Sequence, residues 1–181
     1  AKTFSHPLIV SICRQDPRKG LNFLIRAMQQ VIKIFPSAHC LIVGSGEFLK
    51  YNQKLVSKLH LNTNVSVVGF VPDIRPILHL ADIAVIVPLA QGSSALTVLE
   101  AMSYGKAIVG SRCDGIPEDI RNNVSGLLVP PGNSDELASV ICKLCRNPNL
   151  RKRLGKGAYH AYKKRFGYDV MLDNVKKVLS P

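Results

Sequence analysis

The 181-residue chain contains no tryptophan, and its 6 Phe and 5 Tyr leave it only 6% aromatic. No basic run is interleaved with those rings, so the stacking platforms of a nucleic-acid groove are missing and nucleic acid is not an expected partner. No apolar stretch approaches the roughly 20 residues that a membrane-spanning helix needs. The opening AKTFSHPLIV has neither an initiator Met nor a signal-peptide pattern, which reads as a fragment or a processed product. Cysteines are few, odd in number and scattered (Cys13, Cys40, Cys113, Cys142, Cys145). That argues against a disulfide framework and for a reducing, cytoplasmic compartment. The CKLC pair lacks the second ligand pair a zinc site requires and falls within a helical pattern, so it reads as buried structural thiols.

Acidic residues are also scarce. Asp+Glu number 12 against 24 Lys+Arg, a net charge of +12. The imbalance is local, because residues 146–181 hold 10 of the cations and 2 of the acids. A basic tail region on a nearly balanced domain reads as solvated helix faces; an anionic membrane surface, touched peripherally, or an acidic partner are the alternatives.

What the chain does have is alternation. With 46% hydrophobic and 20% charged residues it is of ordinary globular composition, and its length suits one domain that buries roughly 70% of its unfolded surface. Continuous apolar runs, PLIVSIC (7–13), HCLIVG (39–44), NVSVVGF (64–70), DIAVIVPL (82–89), AIVGS (107–111) and GLLVP (126–130), read as strands. Helical patterns separate them, at 19–35, 47–61, 74–81, around 95–103 and at 117–120, and three more close the chain at 133–146, 149–166 and 168–179. Uninterrupted apolar strands separated by helices predict an α/β fold: a single Rossmann-like doubly wound parallel sheet with helices on both faces. Ligands of such sheets bind beyond the carboxyl ends of the strands, which directs attention to the loops CRQDPRKG, GSGEF, GFVPD, PLAQGSS and SRCDGIPE.

In the first loop, Arg14 and Lys19 flank a turn, and Arg with Lys near helix amides makes an anion site; solvated surface charge is the alternative. Gly44 and Gly46 suggest dinucleotide binding, but the fingerprint needs Gly where Leu49 stands and an acid about 20 residues on, which is absent. They read instead as a tight turn that lets backbone approach a ligand or the next helix.

The stretch QGSSALTVLEAMSYG (91–105) is the most informative. Its helix is apolar nearly all round and so should be buried on most sides, yet it carries Glu100, and a buried carboxylate is costly unless something neutralises it. Gly92, Ser93 and Ser94 place free N–H groups at the helix start, suited to phosphate. A carboxylate offers only acceptors and matches two adjacent sugar hydroxyls such as those of ribose. Phosphate and ribose together describe a nucleotide; an ion pair of Glu100 with Lys19 or Lys106 is the alternative.

RQDPRKG, IVGSGEF, VVGFVPDIRPILHLADIAVIVP, ALTVLEAMSYGKAIVGS, DGIPEDI, SGLLVPPGNSDELA and RFGYDVMLDNV together resemble the C-terminal, donor-binding half of a GT-B glycosyltransferase of family 4, the group 1 glycosyl transferases. The resemblance implies a metal-independent, cofactor-free, retaining transfer of a hexosyl unit from a nucleoside diphosphate sugar, of UDP or GDP type, to a glycan or lipid-linked acceptor. It assigns Arg14 and Lys19 to the diphosphate and the departing nucleotide, and Glu100 to the ribose. It places Gly69, Phe70 and Val71 against the base, and Ala95, Leu96 and Thr97 at the phosphates. It makes residues 1–167 the nucleotide-sugar domain and 168–181 a helix that crosses back to an N-terminal acceptor-binding half.

Two departures stand out. The family's first acidic position is Gln91 here, with one residue inserted before the helix, so its contact with the transferred sugar is altered. The length covers one half of a GT-B enzyme, and the isolated chain is expected to bind donor weakly and transfer nothing. A degenerate, non-catalytic nucleotide-sugar module is the rival from another class, and a related epimerase is disfavoured by the Arg, Lys and Glu pattern.

Overall fold

The computed structural model describes residues 7–90 and 96–179. Six strands form one all-parallel sheet in the order β3-β2-β1-β4-β5-β6: β1 (Leu8–Ile12), β2 (His39–Val43), β3 (Val65–Val68), β4 (Ile83–Ile86), β5 (Ala107–Ser111) and β6 (Leu127–Val129). The helices between and after them are α1 (Leu21–Ile34), α2 (Leu49–Lys58), α3 (Arg75–Leu80), α4 (Leu96–Ser103), α5 (Ile116–Asp119), α6 (Ser134–Arg146), α7 (Pro148–Arg165) and α8 (Tyr168–Leu179). This is the doubly wound sheet that the alternating pattern predicts.

Strand residues of opposite parity feed two cores. Ile9, Ile42, Ile83 and Val109 pack beneath α1, α2 and α6, whereas Leu8, Val10, Leu41 and Ile108 pack beneath α3, α4 and α5 with Ala158 of α7. Both faces are dry, which is why the strands read as apolar runs without alternation. Each fully buried Leu, Ile or Met stabilises by about 1.5–3 kcal/mol. Asn133 caps α6 by accepting from the Glu136 N–H at 2.9 Å, and Asn147 caps α7 through the Leu150 N–H at 2.9 Å.

Several elements are shorter than the sequence suggests, α2 and β3 among them. Helix α2 stops at Lys58 because His60 adopts a left-handed φ of 55° and the Leu61 N–H turns back to the Val56 carbonyl at 3.0 Å. Strand β3 stops at Val68, and Phe70, read as part of a strand, projects into solvent with 74% of its surface exposed. In α8, Tyr168, Met171, Val175, Val178 and Leu179 form an exposed apolar stripe.

The strand order reverses between β1 and β4. A short 3₁₀ turn (Pro17–Lys19) follows β1, and Gly20 then starts α1 at φ 67°. A Cβ at Gly20 would collide with the Val87 carbonyl oxygen, so only glycine lets this turn lie against the end of β4. The Leu89 N–H also donates to the Arg18 carbonyl at 2.7 Å. Gly20→Ala is expected to lower unfolding free energy by roughly 2–4 kcal/mol, measured by urea denaturation.

Candidate functional site

At this switch point a cavity of about 580 Å³ opens beyond the carboxyl ends of β1 and β2. Its walls are largely apolar, with Ile12, Val43, Phe70, Val71, Ile74 and Leu96 supplying the surface. Arg14, Thr97 and Glu100 are the polar side chains that the sequence assigns to it. Leu96 and Thr97, the first residues of α4, border the space. Leu96 is 77% exposed there. The expectation that this helix is buried on most sides is therefore corrected: Val98, Ala101 and Met102 are buried, while Leu96, Thr97 and Glu100 face the cavity.

Glu100 is half-buried, and desolvation raises its carboxyl above the ordinary 4.5. No other influence on that carboxyl is resolved. Among the described residues no hydrogen bond or ion pair reaches its side chain. The Lys106 alternative is set aside by geometry, because the Lys106 ammonium donates to the His79 carbonyl at 2.8 Å. A carboxylate at a cavity wall, without a partner among the described residues, is a group able to accept hydrogen bonds from a ligand.

Arg14 is exposed but oriented. Its Nε and Nη2 donate to the same Asp16 oxygen, Oδ2, at 3.1 and 2.9 Å. Asp16 in turn caps the 3₁₀ turn by accepting from the Arg18 N–H at 3.0 Å. Burial pushes the Asp16 carboxyl up, but the Arg14 side chain, the Arg18 amide and the Arg18 guanidinium outweigh it and hold it below the ordinary value. Since two of the five Arg14 donors are taken on one edge, the others remain for an anion. Lys19 does not line the cavity, yet its charge is felt at the cavity wall. Burial drives the Cys13 thiol up to about 11, and the Lys19 ammonium partly opposes that.

Gly69 also lies outside the lining residues; its carbonyl receives the Gly44 N–H at 3.1 Å. Gln91, Gly92, Ser93, Ser94 and Ala95 fall outside the described residues. Gly44 and Gly46 both line the cavity, so the tight turn does bring backbone to its wall. Cβ atoms there would strike the Cys13 and Gln15 carbonyl oxygens, so the glycines let the β2 loop lie against the β1 loop.

A fully buried Gln15, not among the residues that the sequence singles out, locks these loops. Its Nε2 donates to the Gly44 and Val68 carbonyls at 2.6 and 3.1 Å, and its Oε1 accepts from Asn52 Nδ2 at 2.9 Å. The Ser45 hydroxyl accepts the Phe70 N–H at 3.1 Å, tying Phe70 to the glycine loop. The signal for Gln15 was weak: an amide beside Arg14, with partners 29 to 53 residues away.

A crevice at the reversal of a doubly wound sheet, with an exposed arginine and a desolvated acceptor carboxylate in its walls, is where such folds bind ligands. The profile of the "Glycosyl transferases group 1" matches residues 3–161. The chain belongs to that family. It is 28% identical over 185 residues to the GDP-mannose-dependent monoacylated alpha-(1-6)-phosphatidylinositol monomannoside mannosyltransferase of Corynebacterium glutamicum, covering 98% of this chain and 48% of that protein. The fold superposes on Anabaena HepE in complex with UDP at TM-score 0.91 and 25% identity, covering 97% of this chain and 49% of that one. It also follows the C-terminal domain of the group 1 family protein LpcC from Francisella tularensis (TM-score 0.81, 23% identity), covering 91% of this chain and 89% of that domain. The chain thus spans about half the length of the full proteins it matches, and the group 1 transferase portion present here is the GT-B C-terminal domain.

The ligand-free carboxylate has a measurable cost. Because the folded-state value of Glu100 is raised, its ionisation opposes folding above that value, and the penalty vanishes as pH falls below 4.5, where the carboxyl is protonated in both states. Glu100→Gln should therefore raise the melting temperature of the ligand-free protein by about 1–3 °C near neutral pH, with no gain in acid. Calorimetry at two pH values checks this.

Proposed function

We propose that this chain is the donor-binding half of a retaining hexosyltransferase that works in a reducing, cytoplasmic compartment. In this reading a nucleoside diphosphate sugar occupies the cavity beyond the ends of β1 and β2, against α4. Glu100 accepts the two ribose hydroxyls, and the base rests between Phe70, Val71 and the glycine loop. Arg14 and Lys19, with the N-terminal amides of α4, meet the diphosphate in place of a metal ion. When the bond from the sugar's anomeric carbon to the diphosphate oxygen breaks, the electron pair leaves with the nucleotide, and the two cations stabilise that developing charge. The acceptor, a glycan or a lipid-linked sugar, approaches from an N-terminal half, and residues 168–181 are the segment that crosses back to it.

The observation that carries this reading is the Glu100 carboxylate, desolvated at the cavity wall and unpartnered among the described residues. A solvated or ion-paired acid would leave no reason for an acceptor facing that space. The exposed apolar stripe of α8 supports the missing half, since such a face is ordinarily covered. The reading keeps both UDP and GDP donors, because HepE was crystallised with UDP and the Corynebacterium relative is named for GDP-mannose.

Calorimetric titration with UDP, GDP and ADP tests the reading. One nucleotide should bind, and Glu100→Ala should weaken it by about 1.5–3 kcal/mol, roughly 10- to 150-fold, as expected for losing charge-assisted hydrogen bonds. Lys19→Ala should weaken the diphosphate but not the bare nucleoside. Equal affinity in the wild type and Glu100→Ala would overturn the site assignment.

A further inference from the structure

Helix α7 carries seven Lys and Arg and no Asp or Glu. Lys152, Lys156, Tyr159 and Lys163 recur every three or four residues, so they share one side of the helix, opposite the buried Leu154 and Ala158. Arg153, His160 and Lys164 form a second exposed row beside them. Of the cations with partners, Arg153 stays in this row and donates to the Asn123 carbonyl at 3.0 Å, while the other two turn away from it. Arg151 pairs with Asp82 at 3.7 Å and donates to the Leu144 carbonyl at 2.7 Å, and Arg165 donates to the Glu118 carbonyl at 2.8 Å. Among the described residues no carboxylate pairs with Lys152, Lys156, Lys163 or Lys164. Glu118 is an exposed acid at the far end.

Apolar side chains sit among these cations. Gly155 and Gly157 leave no Cβ where the Gly105 and Val124 carbonyl oxygens lie, so the turns bearing Tyr104 and Val124 lie against α7. Tyr104, Val124 and Tyr159 are 37%, 46% and 45% exposed. Rings and a branched aliphatic interspersed with unpaired ammonium groups suit a layer that is anionic outside and apolar beneath. Lysines attract without directional geometry, which fits fluid headgroups better than the fixed phosphates of a nucleic acid, where arginine forks serve.

The direction of α7 gives this face a use. Its start lies at the amino edge of the sheet, where Arg151 meets Asp82 just before β4; its end lies at the carboxyl edge, where Arg165 meets Glu118 just after β5. Lys163 and Lys164 therefore stand at the edge of the sheet on which the donor cavity opens.

We propose that the exposed face of α7 docks on an anionic phospholipid surface and holds the cavity edge close to the bilayer. Only the purpose of the docking, access to a lipid-linked acceptor, rests on the function proposed above. The test is vesicle flotation of the protein with phosphatidylcholine alone and with an equimolar phosphatidylcholine and phosphatidylglycerol mixture, with nucleotide affinity measured in parallel. The protein should float with the anionic vesicles only. Binding should fall at least ~10-fold in the quadruple variant K152Q/K156Q/K163Q/K164Q and again in high salt. Because all four lysines are exposed, that variant should keep the wild-type melting temperature and nucleotide affinity. Equal binding to both vesicle types, or undiminished binding by the variant, overturns the proposal, as does displacement from vesicles by unstructured RNA bound more tightly. Vesicle binding without nucleotide binding would leave the docking standing and remove the donor-site reading; the reverse would do the opposite.

Discussion

Two neighbouring parallel strands, β1 and β4, send their chains to opposite faces of the sheet, and Arg14 from the first chain meets Thr97 and Glu100 from the second in the walls of one cavity. The chain leaving β1 turns over Gly20 into α1, against one core; the chain leaving β4 leads to α4, against the other. Backbone diverges there and cannot fill the space beyond the strand ends, so a crevice is a consequence of the topology rather than an addition to it. The remaining features shape that crevice. Gly20 presses the two diverging loops together, Gly44 and Gly46 bring in the β2 loop, and the buried Gln15 amide ties the ends of β2 and β3 beneath it.

The electrostatics follow a division of labour. The acid that serves structure, Asp16, is saturated by Arg14 and the Arg18 turn, and its carboxyl is held low. The acid that faces the cavity, Glu100, is desolvated and its carboxyl is raised. Structure built on satisfied groups, and a site built on a carboxylate that has no partner among the described residues, is how a fold stores binding energy for a ligand at some expense to its own stability.

Much of this was legible in the sequence, because much of it is local. Strands buried on both faces print themselves as apolar runs, and the helix periods placed α6, α7 and α8 within a residue or so. Glu100 stood out because it interrupts an apolar helix, and Arg14 because it follows a strand. What stayed hidden depends on distant partners. Gln15 and Asn52 lie 37 residues apart and look like surface amides until the fold buries them against each other. Leu96 and Phe70 were placed at the site by the family resemblance alone, since an apolar residue gives no local sign that its neighbour in space is a cavity instead of a core.

The central claim is that Glu100 faces the ribose of a nucleotide. Its most direct test pairs a change in the protein with a change in the ligand: affinity of the wild type and of Glu100→Ala for the bound nucleoside diphosphate and for its 2′,3′-dideoxy analogue. If the carboxylate accepts those hydroxyls, removing them should weaken the wild type by roughly 10-fold or more and leave Glu100→Ala almost unaffected. If the dideoxy analogue loses the same affinity in both proteins, Glu100 does not contact the ribose, and the site described here is not a nucleotide site of this geometry.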